Sequence, residues 1–221
     1  MLLLCLSLAA CGRPLTQAER DFAATVQGPG LAADRVRVTR APFLGRLTQT
    51  RPPRPQLACR ERIWPPETGP VVTTSTAAFV LFDRIFVADR LWREDYLAPY
   101  PDRLPLVQAM LLAHELTHVW QWQNRARTGY TPLKALAEHS PGADPYLFDL
   151  RTDARFADFS YEQQGGIVEE FVCCRALDPD GARTQRLRRL LAAPFPSLAA
   201  REAAPEIALP WKGAETRGIC G

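Results

Sequence analysis

The sequence predicts an α+β fold: a small twisted sheet drawn from residues 35 to 90, packed with two long helices, one bearing histidines and the other glutamates. Three observations predict it. Short runs rich in β-branched and aromatic residues, separated by polar or small ones, crowd the stretch before residue 90, which is strand chemistry. Leu104 to Asn124 is apolar around almost its whole circumference, the pattern of a buried helix. Ser160 to Ala176 gives a second long helical stretch, and Asp178-Pro179-Asp180-Gly181 breaks it. The 221 residues suit one domain with a substantial core. At 47% apolar and 23% charged, the composition is that of a globular protein and excludes a disordered tail or a multispan membrane protein. The net charge of +3 comes from 27 basic and 24 acidic residues scattered along the chain, so nothing marks a nucleic-acid partner.

Met1 to Ala10 is an apolar run closed by Ala9-Ala10, too short to span a bilayer and arranged as a signal-peptide core with its cleavage site. Leu8-Ala9-Ala10-Cys11 matches the bacterial lipobox at all four positions, although the usual basic segment before the apolar run is missing. Residues 1–11 are therefore expected to be a signal peptide with a lipobox, and residues 12–221 a single domain with its core at about 70–178. The expected location is exported: periplasmic, or held at the membrane of a bacterial envelope by a lipid on Cys11. Setting aside Cys5 and Cys11 leaves Cys59, Cys173, Cys174 and Cys220, which in an oxidising compartment most simply form two disulfides. Adjacent cysteines rarely bond to each other, so Cys59 and Cys220 are the expected partners of Cys173 and Cys174, with the pairing open. A cysteine zinc site would want a C-x-x-C pair, and there is none.

Along the mature chain, Thr16 to Val26 reads as a helix with Thr16 as cap, Glu19 at the capping-box position, and Gly28-Pro29-Gly30 as the stop. Arg35 to Thr39 alternates as a half-buried strand. A proline-rich connection, Arg51 to Pro55, leads to a second short strand expected around Leu57 to Ile63, followed by strand segments at Val71 to Ser75 and Ala78 to Val87. Pro105 suits the first turn of the long helix. Tyr146 to Phe148 could add a short strand, and Arg183 to Ala193 reads as a basic surface helix with a leucine stripe.

The chemistry concentrates in His114-Glu115-Leu116-Thr117-His118. On a helix, residues i and i+4 stand on one face a turn apart, so both imidazoles can reach one zinc ion, while Glu115 projects beside the metal. There it can act as general base toward zinc-activated water. A charged motif of this kind inside an apolar helix would be costly to bury without a metal or pairing partners. A third ligand is required. His139 is the only other histidine, and it lies in a Gly/Pro loop at the wrong spacing for a metzincin. The second helix offers carboxylates at Glu162, Glu169 and Glu170. Glu162 and Glu169, seven apart, share a face, so one can bind zinc while the other hydrogen-bonds a ligating histidine. Glu170 is a further alternative ligand or supporting group. Gly165 and Gly166 would let this helix pack close against the histidine helix. Tyr130, His139, Tyr146 and Tyr161 are transition-state donors by type. Trp120 and Trp122 are expected in the core rather than stacked on substrate.

His114-Glu115-Leu116-Thr117-His118-Val119-Trp120-Gln121, followed some forty residues later by Glu162-Gln163-Gln164-Gly165-x-Ile167-Val168-Glu169, resembles small bacterial gluzincins. These include the peptidases with an H-E-L-T-H-V-x-Q signature found near secretion and contractile-injection loci and, more distantly, the Mlc titration factor type. The resemblance covers roughly residues 70 to 178. It implies a zincin-like domain, a Zn²⁺ cofactor held by His114, His118 and Glu162, hydrolysis with Glu115 as general base, and a peptide or protein substrate. Two alternatives stand beside a peptidase: a catalytically silent zincin scaffold serving as an envelope binding or assembly protein, and an amidase acting on a non-protein amide.

Overall fold

A computed structural model describes residues 12–46, 48–139, 144–150 and 153–221; the expected signal segment and Cys11 lie outside them. The described chain opens with strand β1 (Arg13–Pro14) and helix α1 (Gln17–Val26). The Thr16 hydroxyl accepts from the Glu19 N–H, and the Glu19 carboxylate accepts from the Thr16 N–H at 2.9 Å, closing the capping box. Strand β2 (Arg37–Arg40), strand β3 (Thr48–Arg51) and helix α2 (Cys59–Arg62) follow. Next come strands β4 (Val72–Ser75), β5 (Ala78–Leu81), β6 (Arg84–Val87) and β7 (Arg103–Pro105). Helices α3 (Leu106–Gln123), α4 (Arg125–Thr128), α5 (Pro132–Ala137), α6 (Tyr161–Leu177) and α7 (Ala182–Leu191) precede strand β8 (Glu206–Ala208). The fold is α+β, with α3 packed against α6 beneath a small mixed sheet.

The main sheet runs β1-β2-β6-β5, with β2 and β6 parallel and the other neighbours antiparallel. Hairpin β5–β6 turns through Phe82 and Asp83, since Leu81 pairs with Arg84. Phe82 has φ 59°, a left-handed conformation that costs a non-glycine residue about 1–2 kcal/mol. The end of α3 holds it there. The Phe82 ring lies 4.6 Å from that of Trp122, and Asp83 Oδ1 accepts from Gln123 Nε2 at 2.7 Å. The histidine helix is thus tied to the sheet.

Four expectations are corrected. Leu57 to Ile63 is not a strand: its centre is α2, whose first N–H groups, those of Cys59 and Arg60, donate to the Glu170 carboxylate at 3.0 and 3.1 Å. An anion at a helix N-terminus is the favourable arrangement. Val72–Ser75 pairs outside the main sheet, with Thr48–Arg51, a polar strand that carries no apolar alternation. Pro105 stands before α3 rather than in its first turn, and serves as the last residue of β7 against β8. Tyr146 to Phe148 is not a strand either: the Tyr146 carbonyl accepts from Arg60 Nη2 at 2.7 Å and the Leu147 carbonyl from Gln163 Nε2 at 2.8 Å.

Cysteine usage follows the expectation and adds the pairing: Cys59–Cys173 and Cys174–Cys220 are bonded. The first anchors α2 to α6, and the second anchors the carboxyl-terminal segment to the same helix. Among the described residues no helix is long and apolar enough to cross a membrane.

Candidate metal centre

Helix α3 is buried along most of its length, so its polar side chains must find partners inside the protein. His114 and His118, one turn apart, face Glu162 from the first turn of α6. The three ligand atoms form a tight triangle: 3.1 Å between the two Nε2 atoms, 3.4 Å from His114 Nε2 to Glu162 Oε2, and 3.3 Å from His118 Nε2 to the same oxygen. All three residues are buried. A tetrahedral ion with bonds of about 2.0–2.1 Å has ligand–ligand edges of about 3.3–3.4 Å, and the triangle fits one face of it.

The outer ring nitrogens explain why a cation belongs there. His118 Nδ1 lies 2.8 Å from Gln121 Oε1, and His114 Nδ1 lies 3.4 Å from Glu169 Oε2. Both neighbours are acceptors, so in the neutral ring each Nδ1 holds the proton to donate and each Nε2 is left with a bare lone pair. Two lone pairs and a carboxylate oxygen then converge within 3.4 Å. They repel unless positive charge sits between them. Burial alone would push the His114 imidazole down, but hydrogen bonds with Glu162 and Glu169 outweigh it and raise its pKa to about 10. His118 moves up as well: burial opposes the shift, and the Glu162 charge overcomes it. Both carboxylates are held below the usual range, Glu162 by His118 and His114, and Glu169 by His114 and Arg60, against the opposing effect of burial. The pocket selects positive charge, and a metal ion or protons can supply it.

Glu162 is placed by its helix start. Ser160 and Gln163 close a capping box, and the Glu138 carboxylate accepts from the N–H groups of Tyr161 and Glu162, both at 2.9 Å. Gly165 lets α6 approach: a Cβ there would lie 2.8 Å from His114 Cε1 and Nε2. Gly166 serves a different neighbour than expected, making room for Arg60 Nη1 and the Tyr146 carbonyl. Glu169, the more exposed of the two supporting carboxylates considered, is also 3.4 Å from Arg60 Nη1. Glu170 does not join the site. Its oxygens are taken by the start of α2 and by Arg183 Nε at 2.5 Å.

Glu115 is buried beside the two histidines, and among the described residues its Oε2 has no hydrogen-bond partner. Burial pushes its carboxyl up against the lowering pull of the imidazoles. Of the four donors considered, Tyr146 and His139 stand together: Tyr146 Oη is 3.1 Å from His139 Nε2, which is 3.9 Å from Glu162 Oε1, and the Tyr146 ring lies 5.6 Å from that of His114. Tyr130 is buried with its ring 6.3 Å from that of His118. Tyr161 is turned to the Thr128 carbonyl, to which its hydroxyl donates at 3.3 Å. Burial raises the pKa of both Tyr130 and Tyr146, so both keep their protons at neutral pH. Trp120 is buried against Phe195, as expected of a core group, whereas Trp122 is only half-buried and packs on the exposed Phe82 with Arg125 over its ring.

Sequence reading missed several supporting residues. Gln121 was within reach, because three residues after His118 on a helix is the same face. Glu138, and the Arg54–Asp144 pair whose Asp144 carboxylate accepts from the Tyr146 N–H at 3.1 Å, come from loops that no periodicity connects to the site.

No protein-family model matches the chain, and no curated protein matches it in sequence. Among solved structures, the effector domain of Pseudomonas aeruginosa VgrG2b is similar, with a TM-score of 0.49 and 19% identity over 85% of each chain.

Proposed function

We propose that this chain is a zinc metallopeptidase. The observation that carries the proposal is the convergence of two imidazole Nε2 atoms and one carboxylate oxygen within 3.4 Å, with the outer nitrogen of each imidazole already facing an acceptor. His114, His118 and Glu162 would hold the zinc, leaving a fourth position open as catalytic sites do. Bound there, zinc supplies a Lewis acid that acidifies water and polarises a carbonyl. Glu115, buried and with Oε2 unpartnered, serves as the base: it takes the proton of the attacking water and returns it to the leaving amine. Tyr146, whose hydroxyl is held by His139 Nε2 while His139 Nδ1 donates to the Ala135 carbonyl, provides the donor that can turn to the oxyanion as it forms. A silent scaffold has no use for a buried, unpartnered carboxylate beside the ligands, which favours an enzyme.

The proposed substrate is a peptide or protein of the bacterial envelope. Two disulfides suit an oxidising compartment, and Cys11 would carry the lipid anchor; a diacylated cysteine as the first residue of the mature protein, seen by mass spectrometry, tests it. Activity is tested with casein, a mixed fluorogenic peptide library and a set of small N-acyl amides. We expect peptide hydrolysis that a chelator removes and zinc restores. Glu115→Gln should keep its zinc and lose about 10²–10⁴-fold in kcat. A Glu115→Gln variant as fast as wild type would overturn the mechanism, and cleavage confined to the N-acyl amides would replace peptidase with amidase.

A further inference from the structure

The hydrogen-bond chain behind His118 can be read from its far end. The Phe159 carbonyl can only accept, so the Gln164 amide turns Nε2 to it, at 2.8 Å, and is left with Oε1 toward α3. The Tyr161 carbonyl is likewise only an acceptor. Gln121 Nε2 donates to it at 3.1 Å and to Gln164 Oε1 at 2.9 Å. With both amide protons committed, Gln121 can present only Oε1 to His118 Nδ1, 2.8 Å away. Two backbone carbonyls of the α6 start thereby fix both amides, and through them the proton on the imidazole.

From this we infer that Gln121 is a positioning residue for the metal, acting through His118 by selecting the tautomer whose Nε2 lone pair faces His114 and Glu162. The inference rests on the metallopeptidase reading and deepens it. Gln121 is fully buried and Gln164 nearly so, so no solvent molecule stands ready to replace the amide if it is removed. The ladder also joins the helix carrying two ligands to the helix carrying the third, and it holds His118 and the first turn of α6 in one hydrogen-bonded unit. The two imidazoles are backed by different chemistry. His114 faces the Glu169 carboxylate at 3.4 Å, whereas His118 faces a neutral amide at the shorter 2.8 Å. An amide fixes the ring without adding a charge to a pocket that already contains Glu115, Glu162 and Glu169.

The test uses the full chain, stripped of metal and titrated with Zn²⁺ against a chromophoric chelator, and with Co²⁺ followed by its visible absorption. Gln121→Leu keeps the volume and removes the acceptor; it should bind zinc about 10–100-fold more weakly and give an altered cobalt spectrum. Gln121→Glu keeps an acceptor for His118 Nδ1 but turns its second oxygen on the Tyr161 carbonyl and Gln164 Oε1, so it should bind zinc more tightly than Gln121→Leu and less tightly than wild type. Gln164→Leu removes one of the two acceptors that hold the Gln121 amide and should fall between Gln121→Leu and wild type. It also carries the test if Gln121→Leu does not fold, because wild-type affinity in Gln164→Leu contradicts the ladder. Wild-type zinc affinity and cobalt spectrum in folded Gln121→Leu would overturn the assignment, as would Gln121→Glu weakened as much as Gln121→Leu. Wild-type protein that binds no zinc would overturn the metallopeptidase reading itself, and this assignment with it.

Discussion

His114 shows how strongly the pocket asks for positive charge. Burial works against its protonation, yet the hydrogen bonds with Glu162 and Glu169 hold its pKa near 10 in the absence of a cation. At neutral pH a metal must therefore displace protons, and metal uptake should release them. Calorimetric titration with zinc in buffers of different ionisation enthalpy measures that release, and uptake without proton exchange would contradict it. Stability of the metal-free protein carries the same signature. A raised histidine pKa contributes stability that is complete below the ordinary value of 6.5 and is lost as pH rises through about 10. Lowered carboxylate pKa values contribute stability that is complete above the ordinary 4.5 and is lost on acidification through the folded values. The contribution of this cluster to metal-free stability should be largest between about pH 4.5 and 6.5 and should decline toward pH 10. Thermal unfolding with a chelator present reads it, set against Glu162→Gln to isolate the cluster.

Helix α6 approaches the His114 ring of α3 at Gly165, where a side chain would not fit. Alanine in place of a helical glycine ordinarily gains up to about 1 kcal/mol, but a Cβ on Gly165 would sit 2.8 Å from an imidazole held by Glu162 and Glu169. Overpacking against a fixed neighbour costs about 1–3 kcal/mol, so Gly165→Ala should be net destabilising and should weaken zinc binding. Thermal unfolding and zinc titration check both effects, and a stabilised variant with normal affinity would contradict the close approach. The long elements were legible because their determinants are local. Ser160 with Gln163, Thr16 with Glu19, and the apolar circumference of α3 all lie inside the segments that they define. Leu57 to Ile63 was misread because its determinant is Glu170, more than a hundred residues away in sequence. Thr48–Arg51 escaped notice because a strand without apolar alternation has no period to read. Glu115, His114 and His118 declared themselves by spacing alone, whereas Glu138 and Arg60 act on the site from loops and short helices whose position only the folded chain supplies.

Across the molecule, two disulfides meet at adjacent cysteines of α6, so the glutamate helix is the hub to which α2 and the carboxyl-terminal segment are fastened. The sequence separations of 114 and 46 residues correspond to a loop-entropy stabilisation of about 4–5 kcal/mol each, with about 2–4 kcal/mol the usual yield. Removing Cys59–Cys173 also releases α2, which bears Arg60 and thus the contacts to Glu169 and the Tyr146 carbonyl. Cys59→Ser/Cys173→Ser should therefore lower both stability, by about 2–5 kcal/mol, and zinc affinity. Cys174→Ser/Cys220→Ser should lower stability alone. Chemical denaturation with parallel zinc titration separates the two, and equal zinc affinity in both variants would contradict the link from α2 to the metal. The claim on which the function turns is that His114, His118 and Glu162 form a metal centre, and the metal content of the purified wild-type chain beside Glu162→Ala tests it most directly. One zinc per chain in the wild type and a markedly lower content in the variant is the predicted result; wild-type protein that neither retains zinc nor takes it up after reconstitution would contradict it.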